Sequence, residues 1–95
     1  MESKDVQWRF CTTDQLLSYG PCELVYANLV VSAASTDSYL YDGENASGTR
    51  IVPLVSAAVT NMPFAPPVPI YCRKGLYVDV GTNVTGILVA WRDLK

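Results

Sequence analysis

Apolar and polar residues alternate along most of this chain with a period of two, the spacing of strands that cover one face. Residues 6–12, VQWRFCT, put Trp8 and Phe10 on one face and Arg9 on the other. From 23 to 33 the odd positions Val25, Ala27, Leu29, Val31 and Ala33 are apolar without a gap. The even positions Leu24, Tyr26, Asn28, Val30 and Ser32 are mixed. This predicts a long strand with its odd face in the core and its even face half exposed. Residues 38–42, SYLYD, form another strand, and 76–80, LYVDV, direct Leu76, Val78 and Val80 inward with Tyr77 and Asp79 outward. Short strands over 70–72 and 85–91, TGILVAW, complete the set.

The breaks fit the same scheme. Thr13 caps a helical turn over 13–17, which Gly20 and Pro21 end. Residues 42–48, DGENASG, are rich in types that tolerate positive φ and read as a hairpin loop. The strand over 49–59 contains Pro53, which cannot donate to a ladder, so it lies at an edge or carries a bulge. Pro63, Pro66, Pro67 and Pro69 make 61–69 an extended connection in which Met62, Phe64 and Val68 seek cover. Short strands with turns every 8–12 residues and no 3.6-residue period define an all-β protein: a single antiparallel β-sandwich or jelly-roll-like domain. Residues 1–22 are set apart as an N-terminal segment or arm, and 23–95 as the sandwich.

Composition narrows the functional classes. The 95 residues suffice for one domain, with 49% hydrophobic and 17% charged residues, against about 25% charged in an ordinary soluble domain. Low charge predicts apolar surface that other chains cover. The net charge is −2, and the bases at Lys4, Arg9, Arg50, Arg73, Lys74, Arg92 and Lys95 are scattered. Nucleic-acid binding requires a clustered basic face, so no nucleic-acid partner is expected. No apolar run approaches the roughly 20 residues of a membrane-spanning helix. The opening residues, MESKD, are polar and mixed in sign, unlike a secretory leader, which points to synthesis in a cytoplasm.

Candidate chemistry is sparse. The chain has no histidine, no nucleophile elbow and no phosphate-cradling glycine loop, and its acids are dispersed, so neither an enzyme nor a cofactor is expected. The DGEN run at 42–45 lacks the alternating acids of a calcium loop and reads as a solvated hairpin. Asn45 and Asn83, each in a glycosylation sequon, read as turn residues. Cys11, Cys22 and Cys72 have neither paired spacing nor histidine for zinc, and read as small reduced hydrophobes in strands, with a Cys11–Cys22 bridge as the alternative. Aromatics carry more information. Tyr26, Tyr39, Tyr41, Tyr71 and Tyr77 alternate with apolar positions. They are core if they point inward and a protein interface if they point outward. Trp8, Phe10, Tyr26, Tyr39, Tyr41, Phe64 and Tyr77 are the candidate protein-interface residues.

Two strings extend the reading: LVYANLVVSAASTDSYLYDGENASGTRIVPL from Leu24, and KGLYVDVGTNVTGILVAW ending at Trp91. Their matching residues are Val31, Ala33 and Ala34, then Tyr41-Asp42-Gly43, then Ala46-Ser47-Gly48-Thr49, then the run from Gly75 to Val84. In these the chain resembles a family of small structural proteins of tailed bacteriophages and prophages. The resemblance implies a jelly-roll-like capsid decoration (cement) protein on the exterior of the virion, binding and stabilising the shell of major capsid protein. It implies a homo-oligomer, a trimer favoured over a dimer because decoration sites often lie on local threefold axes. A tail, fibre or neck component that binds a receptor or another protein is the alternative. No catalytic or metal residue is carried across. Residues 1–12 lie outside the resemblance, and Trp8 and Phe10 there anchor either an arm reaching another subunit or the first strand of the sandwich.

Overall fold

The computed structural model describes residues 5–55 and 59–94. The strands are β1 (Gln7–Cys11), β2 (Gln15–Tyr19), β3 (Cys22–Val31), β4 (Ser38–Asp42), β5 (Thr49–Leu54), β6 (Met62–Phe64), β7 (Ile70–Cys72), β8 (Gly75–Asp79) and β9 (Val84–Asp93). They form two antiparallel sheets. One runs β1-β9-β3-β6, with β7 also on β3, and the other runs β2-β8-β4-β5.

The order follows from one long hairpin folded over itself. β4 pairs with β5 at its tip, β3 with β6 and β7, β2 with β8, and β1 with β9 at its open end. Rolling that hairpin adds the pairings β3–β9 and β4–β8 and sends successive paired segments of the hairpin to alternate sheets. With β6 and β7 counted as one interrupted strand, this is the eight-stranded double Greek key of a jelly roll. The protein is an all-β antiparallel sandwich, as the alternation predicts.

β6 and β7 meet β3 in registers three residues apart: Ala27 opposes Phe64, and Cys22 opposes Cys72. The surplus residues between them bow out of the sheet. Pro66, Pro67 and Pro69 lie there and could donate nothing to the ladder. Val68 on that bow is 71% exposed and finds no cover within the domain. Pro53 lies on β5, at the sheet's edge, opposite Tyr39, as expected. Of the strand expected over 49–59, residues 49–54 pair, and 56–58 lie outside the described residues.

Three expectations are corrected. Residues 13–17 do not form a helical turn: Gln15–Tyr19 is a strand along β8, and the Asp14 carboxylate accepts from Val80 N at 2.8 Å. A single helical turn fixes several residues for one hydrogen bond, whereas pairing with β8 satisfies the backbone along the whole segment. The described part of segment 1–22 is not separate from the sandwich, since β1 and β2 supply one strand to each sheet. The inward phase of β3 is also not odd throughout. Leu24 opposes Trp91 and Tyr26 opposes Ala90, leaving Val25 as the extra residue of a bulge. Cys22 and Leu24 are buried before the bulge, Ala27 and Leu29 after it, and Val25 is only half-buried.

The core lies between the sheets. Leu24, Ala27, Leu29, Ile87 and Val89 from one side meet Leu40, Val52, Leu54, Leu76 and Val78 from the other, all at most 2% exposed. Ser38 is buried with them and donates to Val80 O. At the loops, Asp42 accepts from Arg73 N and Lys74 N at 3.2 and 2.8 Å. This joins the 42–48 hairpin loop to the 73–74 turn.

Candidate protein-binding surfaces

The register decides which face each aromatic occupies. In the five-stranded sheet Gln7, Arg9 and Cys11 oppose the core residues Trp91, Val89 and Ile87, so their side chains share the inner face. Trp8 and Phe10 oppose Ala90 and Leu88 and stand on the outer face. Ala90 opposes Tyr26, Leu88 opposes Asn28, and Gly86 opposes Val30. The outer face therefore carries Trp8, Phe10, Leu88, Ala90, Tyr26 and Val30, with the polar Asn28 set among them. Trp8 is 69% exposed and Phe10 44%, although Phe10 also covers Gly86. An ion pair between Arg92 and Glu23 at 3.0 Å closes one end, beside the exposed Tyr71 opposite Glu23.

This face ends on a free strand edge. β9 pairs with one side of β1, and the other side of β1 has no strand among the described residues. Arg9 donates to Gln15 Oε1 at 3.0 Å across the gap between the two sheets, closing the core below. Large aromatics on an outer sheet face, next to open backbone groups, are features of surfaces that take a protein partner.

The other sheet presents a different outer face. Tyr77 opposes Tyr41 and Leu16, and Tyr39 opposes Asp79 and Pro53. The ring of Tyr41 lies 6.4 Å from that of Tyr39 and 6.2 Å from that of Tyr77, both tilted. Arg50 stands 4.0 Å above the Tyr39 ring and donates to the Tyr41 hydroxyl at 3.3 Å. That hydrogen bond, with the nearby phenols, holds the guanidinium more firmly protonated than usual. The cover leaves Tyr41 only 4% exposed although its strand position faces outward. Burial, then the carboxylates of Asp14 and Asp79, push the Tyr77 hydroxyl up. Burial and repulsion from Asp14 and Asp37 push Asp79 up.

The candidate interface residues thus divide three ways. Trp8, Phe10 and Tyr26 lie together on one outer face, and Tyr39, Tyr41 and Tyr77 on the other. Phe64 opposes the buried Ala27 and packs half-buried against the core margin, so it belongs to neither face. Leu88, Ala90, Val30 and Arg50 complete the two faces without having been singled out. The even phase of 85–91 was the available signal for Leu88 and Ala90. Beside the hairpin loop, Gly43, Glu44, Asn45, Ser47, Gly48 and Lys74 line a shallow depression of about 490 Å³. Among the described residues no group of three or more His, Cys, Asp or Glu side chains is placed to hold a metal.

The fold and these faces define the class: a jelly-roll sandwich with two aromatic outer faces. Compared with known protein families, curated proteins and solved structures, the chain matches none.

Proposed function

We propose that this is a non-enzymatic structural protein of a tailed-phage virion, a capsid decoration protein that seats its five-stranded sheet on the shell of major capsid protein. The observation that carries the reading is the outer face headed by Trp8 and Phe10. Each ring amounts to about 150–250 Å² of apolar surface, unfavourable to leave in water and suited to a well-packed contact. Placed on a free strand edge, the pair lets a partner gain main-chain hydrogen bonds and apolar burial together. The jelly roll is a support for many functions, so it adds little alone. The sequence resemblance and the low charge point the same way. Self-association, a trimer before a dimer, belongs to the same proposal.

A second reading, a receptor- or protein-binding module of a tail, fibre or neck, draws on the depression beside the 42–48 loop. Its lining holds no aromatic ring for a sugar to stack on, which favours the first reading.

The test is sedimentation of the protein with purified shells of the corresponding phage. Trp8→Ala with Phe10→Ala should weaken binding about 30-fold or more, the equivalent of about 2 kcal/mol at a central anchor. Tyr39→Ala with Arg50→Ala should leave it within a few-fold. The reverse pattern would move the contact to the other sheet, and equal binding by all forms would exclude both faces.

A further inference from the structure

Cys22 begins β3 and Cys72 ends β7, and the two are register partners in an antiparallel pair. Both are fully buried, so their side chains leave the sheet on its inner side. Two residues further out, Gly20 N donates to Lys74 O at 2.9 Å, one of the two bonds of a hydrogen-bonded position, while Lys74 N turns to Asp42. Such positions recur at every second residue, so Cys22–Cys72 is one too, with Cα atoms about 5.5 Å apart. That separation lies inside the span of about 4.4–6.8 Å that a disulfide bridges. The other combination fails. Cys11 opposes Ile87 and Cys22 opposes Asp93, six positions along β9, which separates them by about 20 Å.

We propose that Cys22 and Cys72 are a thiol pair that closes into an intramolecular disulfide on meeting a low-molecular-weight disulfide such as glutathione disulfide. The bond staples β3 to the interrupted edge strand.

The environment distinguishes the two sulfurs. A hydrogen bond from Cys72 favours the Cys22 thiolate against the cost of burial, while Asp93 and Asp42 oppose it. Cys72 is pushed well up by that same contact and by burial. Ser18 donates to Asp93 Oδ1 at 2.5 Å, so its proton is committed there, and the Cys72 thiol donates to Ile70 O at 3.8 Å and turns to Cys22 when that sulfur ionises. Cys22 is the attacking thiol. Its thiolate attacks one sulfur of glutathione disulfide, the S–S bond breaks, and one glutathione leaves as thiolate and takes up the proton that Cys22 released. Cys72 then loses its proton and attacks the Cys22 sulfur of the mixed disulfide, releasing the second glutathione. The two protein thiols lose two electrons and two protons, and the glutathione disulfide gains them as two thiols. Access requires local opening. β7 has three residues, pairs with β3 alone and follows the proline bow, while Asp42 holds the turn after it, so opening starts from the bow side.

The inference does not rest on the virion reading, and it is tested on the full chain. The protein is incubated in glutathione buffers of increasing disulfide content, denatured, alkylated and digested with chymotrypsin, which cuts between Cys11 and Cys22 at Leu17 and Tyr19. The expected result is a linked Cys22–Cys72 peptide, an intact mass lower by two hydrogens, Cys11 alkylated, and a melting midpoint that rises and falls back with dithiothreitol. Cys11→Ser should close the same bond, and Cys72→Ser should lose the mass change. Full alkylation of Cys22 and Cys72 in the most oxidising buffer would overturn the proposal. So would a stable glutathione adduct on Cys22 with Cys72 still free, or a bond involving Cys11.

Discussion

The Phe10 ring lies so close to Gly86 that a methyl group on that glycine would come within 2.4 Å of its Cζ and 2.6 Å of its Cε2. Gly86 is the gap in the outer face of β9 that lets Phe10 lie down on the sheet. Gly86→Ala should therefore lift the ring, and the Cys11 carbonyl at 3.0 Å limits how far the backbone can yield. The expected cost is about 1–3 kcal/mol in urea unfolding. In a Phe10→Ala background most of that cost should disappear, a coupling above about 0.5 kcal/mol. Additive losses would mean that the carbonyl contact sets the cost.

The bulge at Val25 gives a paired test of the core. Leu29 is fully buried and Val25 only half-buried, although they share the odd phase of the strand. Leu29→Ala should cost about 2–5 kcal/mol, and Val25→Ala less than about 1 kcal/mol in the same denaturant titration. Equal losses would show an unbroken odd phase and no bulge.

That pair also marks how much was readable from the residues. Alternation and turn chemistry specify the β class, the β4, β5 and β8 strands, the edge position of Pro53 and the 42–48 loop. They also place Leu76, Val78 and Val80 inward. Bulges leave no such mark, because one extra residue changes which face is buried without changing composition. β2 reads locally as a capped turn and becomes a strand only because β8, some 60 residues later, offers it a partner. Tyr41 illustrates the limit for the binding faces. The alternation leaves it open between core and surface; its register faces outward, and its burial depends on Arg50 from the neighbouring strand.

Two carboxylates should dominate the acid response, with opposite signs. Asp37 accepts from the Thr82 backbone at 2.7 Å and hydroxyl at 3.1 Å, and these bonds hold its carboxyl below the usual range. Its contribution is present above the unfolded value near about 4 and is lost as the pH falls through the lower folded value. Asp37→Ala should thus lower the melting temperature at pH 7, and the deficit should shrink in acid.

Asp79 runs the other way. Burial, Asp14 and Asp37 raise its folded value, so it favours the folded state only when protonated and opposes it once the pH rises through that value. Asp79→Asn should raise the melting temperature at pH 7, with the gain vanishing below about pH 4. A loss at pH 7 would show that the charge is needed by Arg50 rather than resisted by its acidic neighbours.

The proposed role in the virion is tested most directly by the amount of this protein in purified particles of the corresponding phage, measured by quantitative mass spectrometry against the major capsid protein. The expected result is a fixed ratio to capsid subunits in full and empty heads alike, lost when Trp8 and Phe10 are both changed to alanine. Copies in proportion to tail or neck components, or none in the particle, would contradict it.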